Sequence, residues 1–228
     1  MKNGILCIET ATKNCSVALF EDGHLVSCRE ESSTEYIHSE KLAQFIDEVL
    51  TENKISAKNL SAVAVSSGPG SYTGLRIGVS TAKGIGLGAG IPLIAIPNLV
   101  QLALAAKTID DSFELYIPML DARRMEVFTA VFAANLEVLE NTYAKEIDAD
   151  SFNDLAGKRI AIFGDGADKC LETLSGLNVK LVNVNCSARN MGQIALTKLR
   201  DQNFEDLAYF EPFYLKDFIA GTPKKVFK

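Results

Sequence analysis

The residues best placed to do chemistry stand in one loop, Gly68-Pro69-Gly70-Ser71-Tyr72-Thr73-Gly74, between a β-branched apolar run and an apolar pattern of helical period. A helix starting there would offer its unbonded first amides, its positive dipole end and the hydroxyls of Ser71 and Thr73 to an anion or nucleotide phosphate. Gly68, Gly70 and Gly74 would let a phosphate, or another backbone, come close. The helix itself carries Gly74, Gly78, Gly84, Gly86 and Gly88, each costing roughly 1 kcal/mol against alanine in a helix interior. Close packing against a neighbouring element is therefore a second use, open beside anion binding. Established phosphate motifs fit poorly. No Gly-Lys-Ser/Thr follows Gly68 or Gly70, as a Walker loop requires. The pattern G-x-G-x-x-G puts its third glycine at Thr73, one short of Gly74, and no acidic residue stands about twenty residues on to hold a ribose. Ser71 is flanked by Pro69 and Thr73 where a nucleophile elbow needs glycines.

Other reactive side chains are scarce. The only histidines, His24 and His38, cannot form an H-x-x-x-H or H-E-x-x-H pair, so a two-histidine metal site is excluded. The five cysteines, Cys7, Cys15, Cys28, Cys170 and Cys186, contain no C-x-x-C and read as small buried apolar residues of a reducing compartment. A net charge of -6 argues against an unaided grip on nucleic acid, so an RNA-linked role would need a basic partner and tRNA contact would be indirect. The N-terminus lacks a signal-peptide pattern and no run is long enough to span a membrane, which makes a cytoplasmic location the expectation.

These residues must be positioned by an α/β chain of 228 residues, 47% hydrophobic and 23% charged. Strands are expected at Ile5–Glu9, Ser16–Phe20 and Leu25–Cys28, the last two joined by the hairpin signal Asp22-Gly23. Ser32 and Glu35, in capping-box spacing, precede the helical stripe Leu42, Phe45, Ile46, Val49 and Leu50. A strand at Leu60–Ser66, the glycine-rich helix, a strand at Leu93–Ile96 and a helix over Asn98–Ala106 follow. After Lys107–Ser112 the order restarts. Strands are expected at Leu115–Leu120, Glu126–Phe132 and Leu136–Leu139, then a short helix near Phe152 and a strand at Ile160–Phe163. A helix at Lys169–Leu174, a strand at Lys180–Val184 and a helix at Ala188–Leu199 complete the second half. The repeated order implies two mixed α/β domains, 1–106 and 107–228, with an irregular tail from Ala208 onward.

ILCIETATKNCSVAL, SSGPGSYTGLRIGVSTAKGIG, IPLIAIPNL, LDARRMEVF, FGDGA and PFYLKDF together resemble the TsaB (YeaZ) family, over nearly the whole chain. The resemblance implies the two-domain fold of actin, Hsp70 and hexokinase (the ASKHA fold). That superfamily cradles phosphates with Asp-x-Gly hairpins. Here the equivalent turns read Glu9-Thr10-Ala11-Thr12 and Asp121-Ala122-Arg123, without the glycine, while Gly164-Asp165-Gly166-Ala167 resembles its adenosine loop and reads equally as a plain strand-to-helix turn. The catalytic relative TsaD carries a metal-binding H-x-x-x-H after Ala-Ile-Pro; this chain places Val100 and Leu104 there, so catalytic transfer and metal are expected to be absent.

The resemblance further implies a non-catalytic subunit that pairs with a TsaD-like protein and a TsaE-like ATPase in threonylcarbamoyl transfer to tRNA, self-pairing when alone. ATP or ADP would enter only at the joint interface. The expected docking surface is one exposed two-helix face carrying His38, Leu42, Phe45, Ile46, Val49, Tyr72, Leu75, Arg76, Val79 and Lys83, the alternative being that both apolar stripes simply pack on their own sheet. Arg76, a cation in a helix's first turn, is expected to be balanced by Glu9 or by a partner's anion. A free-standing nucleotide switch and a glycoprotease-type hydrolase are the alternatives. The hydrolase would need a nucleophile with a base or a metal pair, which two separated histidines do not supply.

Overall fold

A computed structural model describes residues 3–35 and 37–215. The first half runs β1 (Gly4–Glu9), β2 (Asn14–Glu21), β3 (His24–Ser32), α1 (His38–Glu52), β4 (Ala62–Ser66), α2 (Tyr72–Ala89), β5 (Leu93–Ile96) and α3 (Asn98–Ile109). The second runs β6 (Leu115–Asp121), β7 (Glu126–Ala133), β8 (Val138–Glu146), β9 (Ile160–Phe163), β10 (Val179–Leu181) and α4 (Gly192–Arg200). Two five-stranded sheets result, ordered β3-β2-β1-β4-β5 and β10-β9-β6-β7-β8. Read from the third strand of each half, both orders are the same. Each pairs an antiparallel meander with two parallel strands, so the duplicated α/β architecture expected from the sequence is present.

Side chains alternate across every strand, and helices cover the faces. Leu6, Ile8, Val17, Leu19, Val63 and Val65 of the first sheet meet Leu42, Phe45 and Val49 of α1 with Val79 and Ala82 of α2. The opposite face, with Ile5, Cys7, Ala18 and Ile94, meets Ala188, Met191, Ala195 and Leu196. That cover is α4 and the turn before it, from the far end of the chain. In exchange α3, which follows the first sheet, lays Leu99, Leu102, Ala103 and Ala106 on Tyr116, Phe128, Phe132 and Phe163 of the second. The lobes are interleaved.

Several local expectations shift. The Ser32–Glu35 capping box does not form, because Ser32 ends β3 and donates its hydroxyl to Asn14 Oδ1 (2.8 Å). α1 begins instead after Ile37, without a side-chain cap. The helices expected near Phe152 and over Lys169–Leu174 are single 3-10 turns, Asn153–Leu155 and Asp168–Cys170. Beyond Cys170 the chain continues in turns, with Leu174 N–H donating to the Cys170 carbonyl (3.0 Å). The helix expected at Ala188–Leu199 divides into a 3-10 turn, Ala188–Asn190, and α4. Leu136, at φ 65, belongs to the turn before β8. Of the expected irregular tail, 208–215 is described without helix or strand, and residues 216–228, with Gly221, Pro223, Lys224, Lys225 and Lys228, lie outside the described residues. Among the described residues no helix is long and apolar enough to cross a membrane.

Candidate functional site

The glycine loop lies between the end of β4 and α2, and several of its polar groups are engaged by the chain itself. Gly68, at φ +105, donates its amide to Asn98 Oδ1 (2.8 Å) and accepts from the Asn98 amide (3.0 Å). Ser71 N–H donates to the Ala11 carbonyl (2.6 Å), and Ser71 Oγ caps α2 by accepting from Gly74 N–H (3.2 Å). A Cβ on Gly70 would sit 2.5 Å from the Ala11 oxygen, and one on Gly74 or Gly78 would run into Thr10. Thr10 Oγ1 donates to the Gly74 carbonyl (2.7 Å). Of the two uses open for this loop, Gly70, Gly74 and Gly78 serve close packing, and the amides of Gly68, Ser71 and Gly74 are already bonded. Thr73 is exposed.

The second candidate loop behaves alike. Gly164 N–H donates to Val184 (3.0 Å), Gly166 N–H to Met119 (2.9 Å), and Asp165 Oδ1 accepts from Asp121 N–H (3.0 Å). Burial raises the Asp165 carboxyl above its usual pKa. Asp121 pairs with Lys169, which also donates to the Glu126 carbonyl (2.8 Å), and Arg123 N–H donates to Asp121 Oδ1 (3.2 Å). This is a strand-to-turn junction tied to the end of β6.

Between the lobes lies a polar centre around Glu9, the residue that opens the turn compared above with Asp-x-Gly, and the donors surrounding it were not foreseen from the sequence. Glu9, at 0% exposure, accepts from Ala11 N–H (2.7 Å), from Gln101 Nε2 and from Asn98 Nδ2 (3.4 Å). Burial raises its carboxyl pKa, against the opposing effect of these donors and the Ser66 hydroxyl. Around it Asn14 Nδ2 donates to the Cys186 carbonyl (2.8 Å), and Ala188 N–H donates to Ser16 Oγ (2.8 Å). The available signal was Asn98 and Gln101, two amides one turn apart in the otherwise apolar first part of α3. Val100 and Leu104, where the resemblance expects histidines, are half-buried on that helix's flank rather than in its core.

Much of the expected two-helix face turns inward. Leu42, Phe45, Val49, Leu75 and Val79 are buried at 2%, 6%, 0%, 0% and 4% exposure, because the apolar stripe of each helix covers its own sheet. They are unavailable to a partner. His38 is buried too; its Nε2 lies 2.8 Å from the Thr12 carbonyl and its ring packs toward Gly74. Burial lowers its pKa, opposed by that hydrogen bond. Arg76 is exposed, but Glu9 does not balance it. Its guanidinium lies 4.2 Å from the Tyr72 ring centroid, and its Nε donates to Tyr214 Oη (3.2 Å). Lys83, half-buried, donates to the Ala208 carbonyl (3.1 Å).

Outward on the two helices, beside larger side chains such as Gln44, Asp47, Arg76 and Leu87, stand several small residues. Ala43, Ser80, Gly84 and Gly88 are exposed, and Cβ atoms on Gly84 and Gly88 would meet nothing within 4 Å. Ile46 and Leu50 of α1 and Ile77 of α2 are half-buried at the rim of the core.

A family model for TsaD, the tRNA N6-adenosine threonylcarbamoyltransferase, matches residues 32–217. The tRNA threonylcarbamoyladenosine biosynthesis protein TsaB of Escherichia coli K12 is 31% identical over 95% of this chain and 96% of its own. Among solved structures, YeaZ of Pseudomonas aeruginosa superposes with a TM-score of 0.78 at 20% identity, covering 94% of this chain and all of that one (100%). The ADPNP-bound activator of 2-hydroxyisocaproyl-CoA dehydratase from Clostridium difficile superposes at 0.53 with 8% identity, over 89% and 97% of the two chains, a likeness of fold alone. The duplicated sheets agree with the two-domain ASKHA fold, and by its sequence this chain belongs to the TsaB (YeaZ) family.

Proposed function

We propose that this chain is an accessory subunit of tRNA threonylcarbamoyladenosine synthesis, binding a TsaD-like transferase across the outer faces of α1 and α2. The observation that carries the reading is the division of the α2 glycines. Gly74 and Gly78 are needed inside the chain, whereas Gly84 and Gly88 face open space and still carry the helix-propensity cost. A partner helix packed closely over them offsets that cost. The family match to TsaD over residues 32–217 supports a partner of related fold, able to present an equivalent helix pair. Without that partner, a second copy of this chain takes its place.

In this reading the chain is not the catalyst, works in the cytoplasm, and touches tRNA only through its partners, among them a TsaE-like ATPase. The isolated chain holds neither metal nor nucleotide, and ATP or ADP enters only where the subunits meet. The bonded amides of Gly68, Ser71 and Gly74 support this, as does the burial of Glu9 among its own donors.

The test is titration of the chain with the TsaD-like protein of its host. Ala43→Glu and Gly84→Glu, both at exposed positions, are expected to abolish the complex without lowering the melting temperature. Glutamate at Val49 or Val79 would be uninformative, since both fill the core. Full-strength binding by both exposed variants would refute the docking face, and saturable ATP binding by the isolated chain would favour the nucleotide switch.

A further inference from the structure

After α4 the chain crosses back over the first lobe as a strap. Glu205 N–H donates to the Leu93 carbonyl (2.9 Å) at the free edge of β5, and Phe213 N–H donates to the Ser67 carbonyl (2.7 Å) at the start of the glycine loop. Between these anchors Leu207 and Phe210 pack against the core under α1 and α2. A Cβ on Gly86 would lie 2.8 Å from Leu207 Cδ2, and one on Gly68 would lie 2.5 Å from the Phe213 oxygen. Two glycines thus make room for the strap, which is a built part of the lobe. Its end is clamped by Tyr214, whose ring centroid lies 4.8 Å from that of Tyr72 and whose hydroxyl accepts from Arg76.

Halfway along, Lys83 of α2 donates to the Ala208 carbonyl. Leu87 stands one turn beyond Lys83, and Tyr209 follows Ala208. At 78% and 85% exposure these are the two most exposed large apolar side chains among the described residues. By helical period Leu87 also shares the α2 face of Ser80 and Gly84, so the pair continues the smooth face onto the strap. Tyrosine on a segment tethered at both ends loses little conformational freedom when covered, which suits it to anchor an interface.

We infer that Leu87 and Tyr209 form a second contact point for the TsaD-like partner, so that the docking surface extends from the two helices onto the C-terminal strap. This rests on the docking face proposed above. The strap forms one side of the seat, and an apolar residue of the partner packs between the leucine and the tyrosine.

Affinity for the host's TsaD-like protein, measured by calorimetry on the full chain, tests it with Leu87→Ser, Tyr209→Ser and the Gly84→Glu control. Each serine variant is expected to bind about tenfold or more weakly, the scale of an interface anchor, at an unchanged melting temperature. Loss of binding in Gly84→Glu with native affinity in both serine variants would overturn the strap contact and leave the helix face standing. Native affinity in all three, or no binding by the native chain, would overturn both. A loss confined to self-association would assign the pair to a second copy and overturn the inference as stated.

Discussion

A carboxyl group at 0% exposure must hold a proton or be matched by donors, and Glu9 is surrounded by them. Desolvation is nevertheless the larger influence, so folding raises its pKa above the usual 4.5. The folded chain then binds that proton more tightly than the unfolded chain. The stability Glu9 contributes is full below the ordinary carboxylate pKa and declines as pH rises through the folded value. Glu9→Gln has no such slope. Urea unfolding at about pH 5 and about pH 8 is expected to show the variant gaining on the native chain at the higher pH. An equal gap at both would mean that Glu9 ionises as readily in the fold as in water. The turn comparison named Glu9 but not its surroundings, because its partners Asn98 and Gln101 arrive from α3 and become neighbours only once that helix is seated.

At the scale of the element, α2 separates two roles for one residue type. A methyl group on Gly74 or Gly78 would enter the space of Thr10, and alanine at either is expected to destabilise the chain by about 1–3 kcal/mol, the range for overpacking. Alanine at Gly84 meets open space and is expected to stabilise the isolated chain by up to about 1 kcal/mol. Denaturant melts of the single variants check both signs. The same Gly84→Ala change is expected to weaken the complex with the TsaD-like protein, and a variant both more stable and equally tight would mean that the smooth face has no occupant. Sequence periodicity located α2 and identified the apolar stripes of both helices, while the Ser32–Glu35 signal placed the start of α1 too early. It could not say that each stripe is consumed by its own sheet, since period reports a face and not what lies against it.

For the molecule as a whole, the interleaving of α3 and α4 governs how it folds. The first sheet needs Ala188, Met191, Ala195 and Leu196 on one face, and Gly192 lets α4 settle directly on Phe20. The second sheet needs α3. Residues 1–106 expressed alone are therefore expected to expose the face containing Ile5, Cys7 and Ile94, to bind a hydrophobic dye and to melt without a sharp transition, whereas the full chain unfolds in one cooperative step. A sharp, dye-free melt of that fragment would show that the first lobe stands without α4.

Alternating and helical periods, the Asp22-Gly23 turn and the recurrence of one element order are local properties of the sequence, and by themselves they determined two mixed sheets and most of their strands. Family membership was legible in the GPGSYTGLRIG stretch for the same reason. The tertiary structure alone decided that Ser32 ties β3 to Asn14 instead of capping α1, that Tyr72 and Tyr214 balance Arg76, and that Glu9 sits at the inter-lobe floor. It also decided that a strap from the far end of the chain borders α2. Each of those outcomes depends on residues distant in sequence competing for the same donor, ring or patch of surface, and such competition is resolved only when the lobes close around it.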